Sequence, residues 1–196
     1  MPALVLSYSS PITADTFDEL CRLLARSGAP IDMEERDPVG PQASMEWFIP
    51  TAVFLYIGKS YFDGILKEMG KDHYGLMKQG LKTLYARLIG DKAPAVTVLS
   101  TAGKITASRQ YSLLFSILAE AKDGLKFKLL IQESATETEY EAIVNAFIDF
   151  LDAFHKQRLS PELISELGKI RIVGRTIFLT YSAELCRIVP LDPLPK

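Results

Sequence analysis

Histidine and cysteine are scarce in this chain, two of each among 196 residues. That scarcity removes much metal and nucleophile chemistry at the outset. Zinc sites draw on Cys and His clustered at short spacings. His73, His155, Cys21 and Cys186 lie far apart with no pair at ligand spacing, so no metal site and no cofactor is expected. A serine or cysteine nucleophile would have only His73 or His155 to serve it. No G-x-S-x-G elbow, phosphate-binding loop or dinucleotide fingerprint occurs, and Gly103-Lys104 lacks the preceding glycine spacing. Two cysteines are also too few for a disulfide framework, so buried free thiols in a reducing cytoplasm are expected.

Strong net charge is missing too. A formal charge of −2 and a pI near 5.8 give no general attraction to nucleic acid or to anionic membrane. Met1 to Leu6 has no basic lead-in and reads as a first strand, not as a signal peptide. The longest apolar run, Trp47 to Ile57, covers 11 residues. A membrane span needs roughly 20, so a buried core element is expected there and no membrane partner.

What remains is ordinary globular composition, 48% hydrophobic and 23% charged. At this length one α+β domain over residues 1–196 is expected. It divides into an N-terminal β-α-β unit (1–43), a helical hairpin (44–90) and a sheet-and-helix unit (91–196). Its fold would be a mainly antiparallel sheet of five to seven strands, covered by the helical hairpin and a long amphipathic helix. Charge is segregated along it. Residues 1–47 carry eight acids against three bases, and residues 48–90 carry six bases against three acids. An acidic N-terminal unit lying against a basic hairpin would account for this.

Residues 3–8 read as a buried strand, and a helix is expected from Thr13 to Ser27, with a Thr16/Glu19 capping box and a Gly28 stop. Ile31 to Arg36 alternates as an acid-rich edge strand, before a proline-rich loop at Asp37 to Ala43. The hairpin's first helix is expected to reach Met69 from Pro50, or from Ser44 with a bend at Pro50. Gly70 would close it and Asp72 would cap a second helix. In that second helix Tyr74, Met77, Leu81, Leu84 and Leu88 make a 3-4 seam. Ala95 to Ser100 reads as a strand. A β-hairpin, Tyr111–Glu120 with Leu125–Gln132, turns at Asp123-Gly124, with Phe127, Leu129 and Ile131 inward and Lys126 and Lys128 on a largely wet face. A helix from Thr136 to Gln157 opens on a Thr136/Glu139 capping box and ends on His155 as a partner of the helix dipole. A short helix follows from Pro161, then strands at 170–173, 175–182 and 185–189, before a proline-rich tail that ends the sheet.

One segment concentrates chemistry. Gly70-Lys71-Asp72-His73-Tyr74 brings together a cation, a carboxylate, an imidazole and a phenol. As an acid/base site, His73 would work with Asp72, Lys71 and Tyr61, and with Lys59 near by. As a turn, the same residues serve only to join two helices. The basic stripe Lys71, Lys78 and Lys82 would hold an anion or an acidic partner, or be a solvated face.

The segment Trp47 to Leu84, with its K-S-Y-F-D-G and G-K-D-H-Y runs, resembles a stretch of uncharacterised small bacterial proteins. The resemblance implies a bacterial cytoplasmic origin and gives no residue a role. Two functions are therefore expected as alternatives. One is a non-catalytic binding or regulatory protein acting on a protein partner, with self-association through the hairpin as a further form of contact. The other is a small enzyme with its acid/base site at His73.

Overall fold

In a computed structural model of the chain, residues 3–26, 28–37, 51–91, 93, 94 and 110–192 are described, with the backbone alone for 64–72. The strands are β1 (Leu4–Ser9), β2 (Asp32–Arg36), β3 (Val53–Ile57), β4 (Tyr111–Glu120), β5 (Lys126–Gln132), β6 (Thr176–Ser182) and β7 (Arg187–Leu191). The helices are α1 (Asp18–Arg26), α2 (Leu66–Lys82), α3 (Tyr85–Leu88), α4 (Glu137–His155) and α5 (Pro161–Lys169). All seven strands join one sheet in the order β2-β1-β3-β4-β5-β6-β7. The class is α+β, but the sheet is mixed. β1/β2, β3/β4 and β5/β6 pair parallel, whereas β1/β3, β4/β5 and β6/β7 pair antiparallel. The expectation of a mainly antiparallel sheet is corrected accordingly. Each parallel pair is joined through a segment containing helix, as parallel strands require.

The helical hairpin is not there. Its apolar first half, Val53-Phe54-Leu55-Tyr56-Ile57, is the inner strand β3, held between β1 and β4. A short apolar run does not distinguish a buried strand from a buried helix by period. Two β-branched and two aromatic residues in five, closed by Gly58, favour the strand. The run that suggested self-association is thus placed inside this chain's own sheet. After Gly58 the chain enters a π-helical turn, Tyr61–Ile65, and then α2, which passes through Gly70 and Asp72 without a break. A mid-helix glycine costs only about 1 kcal/mol. The packed seam downstream offsets that: Met77, Leu81, Leu84 and Leu88 are buried and Tyr74 is half-buried, as their spacing predicts.

Helices cover one face of the sheet. A single row of that face crosses every strand, Met33–Leu6–Leu55–Ile117–Leu129–Leu179–Pro190. Leu6, Leu55, Ile117, Leu129 and Leu179 of that row share one core with Leu20 and Leu24 of α1, Met77 and Leu81 of α2, and Ile143, Val144, Phe147 and Leu151 of α4. The α4 capping box forms as expected, Thr136 Oγ1 accepting the Glu139 N–H at 3.3 Å and Glu139 Oε2 accepting the Thr136 N–H at 2.8 Å. The Asp123-Gly124 turn forms too, with φ of +56° and +74°.

Other expectations move. The Thr16/Glu19 box gives way to a 3-10 turn, Ala14–Phe17, entered from Thr13 with no side-chain cap. Of residues 170–173 only Val173 makes a bridge, to Thr176. β7 runs through Pro190 to Leu191, because an edge strand tolerates a missing N–H. Both cysteines are free, yet Cys186 is exposed and only Cys21 is partly covered. The strand expected at Ala95 to Ser100, and Ser44 to Pro50, lie outside the described residues. Among the described residues no helix is long and apolar enough to cross a membrane.

Candidate functional site

Tyr61 opens the π-helical turn after β3, and His73 lies farther along in α2. The fold brings the two rings together, with centroids 5.3 Å apart and planes tilted by 49°. Both are buried, at 2% and 1% exposure. Burial holds the His73 imidazole below its ordinary pKa and the Tyr61 phenol above its own. The Tyr61 hydroxyl is sealed from solvent without a hydrogen-bond partner. The side chains of Lys71 and Asp72 lie outside the described atoms. Two of the four residues nominated from sequence therefore meet, both buried, and a substrate would reach them only if the packing around them opened.

The basic stripe faces carboxylates. Lys78 Nζ bonds Asp149 Oδ1 at 3.0 Å, and the Tyr74 hydroxyl donates to the same oxygen. Lys78 also lies 4.5 Å from the Tyr74 ring centroid. Lys82 bonds Glu141 Oε2 at 2.9 Å. Both lysines thus tie α2 to α4. α1 packs on α2, with one described ion pair between the acidic and basic segments, Arg87 to Asp15 at 3.8 Å.

A second cluster gathers at the carboxyl ends of the parallel pair β3/β4. Glu120 Oε2 accepts the Lys59 backbone N–H at 2.9 Å and the Tyr56 hydroxyl at 3.1 Å. Those bonds, the Lys59 amide first, hold the Glu120 carboxyl below its ordinary pKa. Burial, helped by Glu120, pushes Tyr56 up to about 12. Lys59 Nζ pairs with Asp63 at 3.7 Å on the surface. His155 stacks on Phe62, centroids 3.9 Å apart and planes 13° from parallel, and bonds the Glu120 backbone. Its pKa is lowered, by burial above all. At neutral pH it is therefore an uncharged packing ring and not the dipole-pairing cation that its helix-end position suggests. The arrangement fastens the start of the α2 segment and the end of α4 onto two strand ends.

The outer edge of the sheet is acidic. Among the described residues β2 pairs only with β1. Asp32, Glu34, Glu35 and Asp37 are exposed, and Met33 between them is 39% exposed. The one nearby cation is drawn inward: Arg36 lies 4.4 Å over the Phe54 ring and donates to the Thr51 carbonyl at 3.3 Å.

The second sheet face holds what the sequence reading missed. Its row runs Asp32–Val5–Tyr56–Leu118–Lys128–Phe178–Leu191. Lys128, expected on a wet face, is 8% exposed, and burial lowers its pKa to about 8. The signal was present in the sequence. Leu130, on the same face of β5, and Leu118 and Phe178 in the flanking strands are apolar, and a face with such neighbours is not wet.

Among the described residues no group of three or more His, Cys, Asp or Glu is placed to hold a metal ion. Compared with known proteins, the chain matches no family, no curated protein and no solved structure. Its class rests on the fold alone: an α+β protein whose described strands form one mixed seven-stranded sheet.

Proposed function

We propose that this is a bacterial cytoplasmic binding or regulatory protein that works without catalysis, by receiving a basic extended segment of a partner protein along β2. The observation that carries the reading is the acidic edge at β2, which among the described residues pairs only with β1. An unpaired edge offers main-chain donors and acceptors to an incoming strand. Four exposed carboxylates select a partner rich in lysine or arginine and repel a second copy of the same edge. Met33 gives an apolar contact between the charges. The two free thiols suit a reducing compartment.

The test uses a synthetic peptide of alternating lysine and valine as the probe. Binding should protect the backbone amides of residues 32–36 from hydrogen exchange. D32K/E34K/E35K should weaken binding by about tenfold or more, since each rim charge acts mainly on association. Equal binding by the reversed variant, or no protection in β2, would end this reading.

A small enzyme with acid/base chemistry at His73 is the second reading, favoured by the Tyr61–His73 contact. Turnover by the purified protein that is lost in Tyr61→Phe and His73→Gln, with the fold intact, would replace the first reading with this one.

A further inference from the structure

Residues 170–173 leave α5 and lead into the tight turn before β6, where Val173 and Thr176 exchange main-chain hydrogen bonds at 3.3 and 3.0 Å. Ile170 is extended, with φ of −79° and ψ of +143°. Arg171 and Ile172 are exposed, Ile172 to 52%. Among the described residues nothing hydrogen-bonds their main chain, and Arg171 has no ion-pair partner. Lys169 before the segment and Arg175 after it are exposed as well. This is a short basic stretch with an isoleucine on either side of its central cation.

That alternation matches β2 side for side. Asp32 and Glu34 stand on one face of β2 and Met33 on the other. An incoming strand with Arg171 beside the two carboxylates sets Ile170 and Ile172 beside Met33, because side chains alternate with period two. Within one molecule the two surfaces do not meet. β2 and β6 lie five strand spacings apart in the sheet order, or about 24 Å at the usual spacing of about 4.8 Å. The segment that reaches β2 therefore belongs to another copy. Two acidic edges repel each other, so contact between copies runs head to tail and not edge to edge.

We propose that the partner of the β2 edge is a second copy of this chain, which lays residues 170–172 along it. The proposal rests on the reading of β2 as an edge that receives a strand, and it names the occupant. Each molecule offers one acidic acceptor and one basic donor on different parts of the sheet. The contact is heterologous, so it adds copies in a row and does not close at two. Three residues make few main-chain bonds, and the charges at the edge are exposed. The association is therefore weak and sensitive to salt.

The experiment is sedimentation velocity of the full chain under reducing conditions, which keep the exposed Cys186 thiol from linking copies. The sedimentation coefficient should rise with concentration up to about 1 mM and fall back as salt is raised. D32K/E34K/E35K and R171E/I172N should each remain monomeric. Mixed, the two variants should form a pair that stops at two, since one keeps the basic segment and the other the acidic edge. A synthetic peptide of residues 168–174 should disperse the wild-type assembly, a readout that depends on no variant's folding. A wild type that is monomeric at about 1 mM, an assembly that persists in either variant, or one untouched by the peptide would overturn the proposal. The lysine–valine peptide separates this failure from that of the receiving edge. If it protects residues 32–36 of R171E/I172N while wild type stays monomeric, β2 still receives a strand and only the second copy is ruled out. No protection removes both.

Discussion

Tyr140 of α4 donates a 2.9 Å hydrogen bond to the Leu81 carbonyl near the end of α2, and both residues are fully buried. The bond fixes how the two helices of the cover meet. Leu81 O also accepts the Leu84 N–H at 3.1 Å, so removing the phenol does not leave it unsatisfied. Tyr140→Phe should therefore cost only about 1 kcal/mol, the net worth of one hydrogen bond. Urea denaturation would show a lower midpoint at unchanged slope. A loss above about 3 kcal/mol would mean that the α2–α4 contact depends on more than this bond.

Gly75 and Gly80 lie on the same helix, α2, and should respond in opposite directions to alanine. A Cβ at Gly75 meets nothing within 4 Å. Gly75→Ala gains helix propensity alone and should stabilise by about 1 kcal/mol. At Gly80 a Cβ would stand 2.5 Å from Leu20 Cδ1 of α1. Leu20 is fully buried and has little room to retreat, so overpacking of about 1–3 kcal/mol outweighs the same propensity gain. Thermal melts of the two variants should move to either side of the parent. A rise in both would show that α1 rests loosely on α2.

His73 and His155 both carry pKa values lowered chiefly by burial. Above about pH 6.5 each is neutral whether the chain is folded or not, and their contribution is complete. As pH falls below that, the unfolded chain takes up protons that the folded one resists, and stability drops. His155→Phe, which keeps the stack on Phe62, should flatten this acid limb relative to wild type. Denaturation at a series of pH values between 5 and 8 measures it, and an unchanged limb would place the His155 ring in contact with water.

The sequence carried most of this fold where local signals were complete. The Asp123-Gly124 turn, the Thr136/Glu139 box and the seam from Tyr74 to Leu88 each follow from neighbours in the chain. The failures share one cause, which is that pairing partners are distant in sequence. Nothing local marks Val53–Ile57 as a strand between β1 and β4, and its direct continuation into amphipathic residues invited a helix. The same holds for the site. Tyr61 and His73 were legible as chemistry-bearing residues, and they do meet, but on a continuous helix and not across a turn. Lys128 was read from the alternation of its own strand, and Leu130 on its face together with Leu118 and Phe178 opposite it on β4 and β6 reveals its burial.

Lys128, 8% exposed on a central strand, makes a prediction about stability. Burial lowers its pKa to about 8, while in the unfolded chain it should titrate near the ordinary lysine value of about 10.4. Below pH 8 both states hold the proton, and burial penalises the charged form in the folded state. Between pH 8 and about 10 the folded chain gives up the proton and the unfolded chain keeps it. Stability should therefore rise with pH across this window, by up to about 1.4 kcal/mol per unit from this group. The buried phenols act the other way once the unfolded chain begins to ionise near pH 10, so the useful interval closes at about pH 9.5. Comparing wild type with Lys128→Met cancels the other groups, and the gap between the two curves should change with this slope between pH 8 and 9.5. Parallel curves would mean that the Lys128 amine keeps its proton in the folded chain as readily as in water.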